Sequence, residues 1–65
     1  MRLENLKIQR IKAKVTQFEL SKKIGISESM VSKIETGRHD PNSYDTAKIA
    51  DALGCSVNDL MYDFV

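Results

Sequence analysis

At 65 residues the chain has room for one compact domain, residues 1–65, and for little buried core, so it needs tight apolar packing or help from oligomerisation. A single cysteine, Cys55, rules out an internal disulfide, and with no Cys/His cluster around it there is no basis for a structural zinc site or other metal. The net charge of +1 hides an asymmetry. Nine Lys/Arg against four Glu give +5 up to Arg38, and one Lys against five Asp give −4 from His39 onward. That split suits a chain with one face on a polyanion and another kept away from it, although ordinary solvated charge gives the same count.

No stretch of about 18 apolar residues is present, and Met1 to Asn5 lacks the apolar core of a secretion signal. A reducing cytoplasm is therefore the expected compartment.

The first predicted helix runs from about Glu4 to about Ala13, with Leu3, Leu6, Arg10 and Ala13 on one face at helical spacing. Ile8, Ile11 and Val15 make a second apolar stripe. Thr16 begins the next helix. Its hydroxyl can cap, Glu19 can bond back to it, and Val15 can staple onto Leu20. That helix is expected to end at Ile24, before Gly25. Ser27 caps a third helix, Glu28 to about Thr36, which Gly37 terminates. After the loop from Arg38 to Asn42, either Asn42 or Ser43 starts a fourth helix that reaches Leu53 and closes at Gly54. Ser56, with Asp59 three residues on, opens a short fifth helix to about Tyr62. No segment alternates apolar and polar residues for long enough to be a strand, so the fold class is all-α.

The stretch 17–36 carries the functional signal. Leu20, Ile24, Ile26, Val31 and Ile34 fix two short helices at a steep angle across Gly25-Ile26-Ser27, a turn in which Gly25 needs a positive φ. The outer face of the third helix is left free, and a helix presented in this way fits a B-DNA major groove.

Thr16-Gln17-x-Glu19-Leu20-Ser21-x-x-Ile24-Gly25-Ile26-Ser27, then Val31 through Gly37, Ile49 through Gly54 and Ser56-Val57-x-Asp59-Leu60, resemble the helix-turn-helix domain of the Cro and phage-repressor family, also called the XRE family. The resemblance covers nearly the whole chain. It implies a five-helix, lambda-repressor-like domain, bacterial or phage-encoded, whose third helix reads double-stranded DNA; a homodimer is expected, with no cofactor, membrane or small-molecule effector. On these positions Ser27, Glu28, Ser29, Ser32, Lys33 and Thr36 would face bases. Gln17 would meet a phosphate with its backbone N–H and side chain, and Arg38 would meet the backbone. The resemblance also implies a structural ion pair between Arg10 and Glu35. The chemistry is consistent with these roles: helix N-termini favour phosphates, lysine can donate to guanine, glutamate can accept from cytosine, and serine can do either.

Several positions depart from the family pattern. Ser21 replaces an alanine where the helices cross, and Met30 is apolar on a partly exposed face. Lys14 stands where a glycine commonly ends the first helix, and Ser43 and Thr46 stand where leucines are common. Plainer roles compete at single residues. Glu28 can simply stabilise a helix N-terminus, Met30 can pack on its own domain, His39 can be solvated, and Cys55 can be a small buried apolar group. Leu60, Met61, Tyr62, Phe64 and Val65 are the expected dimer interface, unless the tail folds back over the first helix.

The expected function is that of a small repressor on a palindromic operator; activation would require a polymerase contact that the sequence does not specify. The competing reading is an antitoxin-type protein-binding module that also binds DNA. The chain has no nucleophile–base pair, metal cluster or phosphate-cradling loop, so no enzyme activity is expected.

Overall fold

The computed structural model describes residues 2–61 as five helices: α1 (Leu6–Lys12), α2 (Gln17–Ile24), α3 (Glu28–Glu35), α4 (Ser43–Leu53) and α5 (Val57–Met61). No strand occurs among the described residues, and the fold is all-α. Helix α2 packs on both α3 and α4; α1 lies against α3 and α5, and α4 meets α5. Leu3, Leu6, Leu20, Ile24, Val31, Ile34, Ile49, Ala50 and Leu60 form the buried core, with a contribution from every helix.

The helix starts follow local chemistry. Thr16 and Glu19 form a reciprocal capping box, with both bonds at 3.0 Å. Ser27 Oγ accepts from Met30 N–H at 3.0 Å, and Asn42 Oδ1 accepts from Asp45 N–H at 2.8 Å, so Asn42, not Ser43, caps α4. Ser56 and Asp59 repeat the reciprocal arrangement at α5.

Helix α1 is shorter than predicted at both ends. Glu4 and Asn5 lie in a turn, because Asn5 is bound elsewhere. Its N–H donates to Leu60 O at 2.9 Å and its side-chain amide to Asp59 O at 2.7 Å, which joins the start of α1 to the end of α5. At the other end Lys14 has φ 59°. Lys14 N–H reaches Ile11 O and Val15 N–H reaches Arg10 O, closing α1 on a left-handed residue in the way a glycine normally does. Ala13 then falls on the exposed cap, off the core face predicted for it.

The substituted positions of α2 and α4 are accommodated by local hydrogen bonds. Thr46 is fully buried, and its hydroxyl donates to Asn42 O at 2.8 Å. Buried Ser21 donates to Phe18 O at 2.6 Å. Each hydroxyl is paired within its own helix, so neither leaves an unpaired donor in the interior.

Candidate nucleic-acid interface

The turn between α2 and α3 is set by Gly25, at φ 75° and ψ 31°. A Cβ there would meet no atom within 4 Å, so the left-handed backbone, rather than space, is what calls for glycine. Gly25 N–H and Ile26 N–H both donate to Ser21 O, and Ser27 then starts α3. Val31 and Ile34 face inward and are buried.

The opposite face of α3 is open. Ser27, Glu28, Ser29, Lys33 and Thr36 are exposed and Ser32 is half-buried. Among the described residues, the side chains of Glu28, Ser29, Ser32 and Lys33 have no hydrogen-bond or ion-pair partner. Their donors and acceptors are available to a ligand. Thr36 is less free, since its hydroxyl is shared between Ser32 O at 3.0 Å and Lys33 O at 3.3 Å. Met30 is half-buried and packs against the core of its own domain, the plainer role expected for it.

Glu35, at the end of α3, holds the unit together. One carboxylate oxygen accepts from Arg10 Nε at 2.6 Å and the other from Gln17 Nε2 at 3.0 Å. The Arg10 and Glu35 side chains are only 12% and 4% exposed. Arg10 Nη1 also donates to Val15 O at 2.8 Å. Three helices therefore meet at one buried ion pair. The sequence anticipates the pair but not its third member: Gln17, expected to turn its side chain to a phosphate, already gives one amide N–H to Glu35. Its other N–H and its backbone N–H, in the first turn of α2, remain for a ligand.

Arg38 is exposed just beyond α3, and its backbone N–H closes on Lys33 O at 2.9 Å. Leu60 requires a correction. Expected at a dimer interface, it is fully buried between α5 and the rest of the core and is unavailable to a partner. Met61 is half-buried against the same core, and Tyr62, Phe64 and Val65 lie outside the described residues. Cys55 is half-buried. Desolvation, followed by the nearby Asp59 charge, raises its thiol pKa above the ordinary value. Among the described residues no three His, Cys, Asp or Glu side chains gather as a metal site, and no helix is long and apolar enough to cross a membrane.

Comparison with known proteins gives the arrangement a family. The helix-turn-helix family profile matches residues 6–60. The chain is 36% identical over 55 residues to the uncharacterized HTH-type transcriptional regulator MJ0272 of Methanocaldococcus jannaschii, covering 85% of this chain and 83% of that protein. It is also 39% identical over 61 residues to the type II methyltransferase M.Sau96I of Staphylococcus aureus, covering 94% of this chain but only 14% of the methyltransferase. No solved structure matches the chain. With the family profile spanning five helices and the turn, cap and ion pair all in place, the chain belongs to the XRE-type helix-turn-helix family of DNA-binding regulators.

Proposed function

We propose that this chain is a repressor that binds a two-fold operator as a dimer, with α3 of each copy in a major groove. The observation that carries the reading is the outward face of α3, where Glu28, Ser29, Ser32 and Lys33 keep their polar groups unpaired while the inward face is locked into the core. In this arrangement Lys33 and Ser29, one turn apart, read base edges. Arg38 and the N-terminus of α2 at Gln17 position the domain on phosphates. Glu28 sits in the first turn of α3, where its charge complements the helix N-terminus. It is the weakest candidate for a base contact.

A dimer is part of the proposal because a single short helix reads too few base pairs for useful discrimination. Each copy presents one α3 to the DNA, so a second half-site one turn away, at roughly 34 Å, calls for a second copy. Met61 and the apolar residues after it in sequence (Tyr62, Phe64 and Val65) are assigned to the partner copy.

The test is selection of bound duplexes from a random pool, followed by a binding matrix. Wild type, Arg38→Ala, Lys33→Ala and Ser29→Ala are measured against single-base variants of the selected site at several salt concentrations. Lys33→Ala and Ser29→Ala should change which bases are preferred, by about 1–3 kcal/mol for each well-formed base interaction removed. Arg38→Ala should weaken all sequences alike. If Arg38→Ala reshuffles base preference and both α3 variants leave it intact, α3 is not the reader.

A further inference from the structure

The sequence points to phosphate contacts at Gln17 and Arg38 only. The structure brings a second cation, Arg2, to the end of the recognition helix where Arg38 lies. The Arg2 side chain lies against Gly37, the left-handed residue (φ 79°) that follows α3 and precedes Arg38. A Cβ on Gly37 would stand 2.8 Å from Arg2 Nη2 and 3.3 Å from its Cζ. Gly37 thus supplies the backbone turn and also leaves the space in which the guanidinium rests. Arg2, Leu3 and Glu4 form one wall of a cleft of about 180 Å³, and Ile34, Glu35, Thr36 and Gly37 form the other.

Arg2 is poorly used by the protein itself. Its side chain is 65% exposed, and its one polar contact among the described residues is a long ion pair to Glu4, Nε to Oε1 at 3.8 Å, with Glu4 61% exposed. A guanidinium has five N–H donors in a fixed fork suited to a phosphate. None of those on Arg2 bonds to the carbonyls at the end of α3, so it is not serving as a helix cap. Arg38 is one residue from the glycine against which Arg2 rests, and consecutive Cα atoms are only about 3.8 Å apart.

We infer that Arg2 is a DNA-contacting residue, which grips a backbone phosphate beside the one met by Arg38, and that Glu4 holds the guanidinium loosely until DNA displaces it. The inference rests on the DNA-binding reading above. The strand segment recognised is the one facing the C-terminal end of α3, and the contact is independent of base sequence.

The test measures affinity against salt for wild type, Arg2→Ala, Glu4→Gln and the double variant, on a mixed-sequence duplex and on the duplex selected above. Arg2→Ala should flatten the slope of log affinity against log salt by about 0.9 per bound chain. It should do so equally on both duplexes, with base preference and thermal midpoint unchanged. Glu4→Gln should tighten binding in the wild-type background and much less in the Arg2→Ala background, because its effect passes largely through the guanidinium. If Arg2→Ala leaves the slope unchanged, or lowers the thermal midpoint without changing the slope, the inference is overturned and the DNA-binding reading stands. If wild type binds neither duplex, both fail together.

Discussion

The buried cluster of Arg10, Glu35 and Gln17 has the clearest energetic consequence of any single-residue feature. Removing the guanidinium strands a carboxylate that is 4% exposed and retains only the Gln17 amide. The cost of breaking such a pair is about 3 kcal/mol or more, a large part of the stability available to a domain of this size. Thermal or denaturant unfolding of Arg10→Ala should show that loss; a midpoint within about two degrees of wild type would mean the pair contributes little. Lys14 points the other way. Its left-handed backbone is penalised by about 1 kcal/mol or more in a residue with a Cβ, and glycine's extra unfolded-state entropy offsets only part of that. Lys14→Gly should stabilise by about 0.5 kcal/mol, a rise of about three degrees in the thermal midpoint of so small a domain. Cys55 gives a kinetic check. With its pKa raised by burial, it should react with iodoacetamide at pH 8 more slowly than a free thiol, because less thiolate is present.

At the scale of elements, what is legible in the sequence is what is local. The caps at Thr16, Ser27 and Ser56 depend on partners three residues away and form as expected, and of the two candidates at α4 it is Asn42 that finds such a partner. The turn glycine and the inward stripe of α3 are legible for the same reason. The differences from expectation involve long-range partners. Asn5 leaves the predicted first helix because its partners are 54 and 55 residues downstream. Leu60 departs from its expected place because five residues of α5 give too little periodicity to separate an inward from an outward apolar side chain. Gln17 to Glu35 crosses 18 residues, and only the folded helix pair brings the two together. Arg2 carries no signal beyond its charge. The capping box of α2 also predicts a pH effect. The Thr16 backbone and side-chain bonds lower the Glu19 pKa below its ordinary value of 4.5. The associated stability is therefore present above that value and is lost as pH falls through the lowered one. Glu19→Gln, which cannot titrate but can still accept the bond, should remove that part of the acid sensitivity in a pH series of unfolding curves.

The whole molecule divides along the chain into two segments of opposite charge. The basic N-terminal segment contains α1 to α3 and Arg38, and the acidic segment contains α4 and α5. Under the dimer proposal, sedimentation of the complex should give two chains per operator; saturation of a full-affinity site by one chain would exclude it. On α1 the core-facing Leu6 is buried, whereas the second apolar stripe is exposed at Ile8 (44%) and Ile11 (57%).

One property of α3 bears on how such a protein changes its targets. The residues holding the helix in place (Val31, Ile34 and Glu35) and those on its outward face (Glu28, Ser29 and Lys33) share no hydrogen bond or ion pair among the described residues. Surface substitutions with no internal partner usually change stability by less than about 0.5 kcal/mol. The outward positions can therefore be exchanged for other polar residues with little effect on folding. Under the proposed reading, fold and address are written in separate letters of the same eight-residue helix, so a lineage can acquire a new operator while keeping an unchanged core.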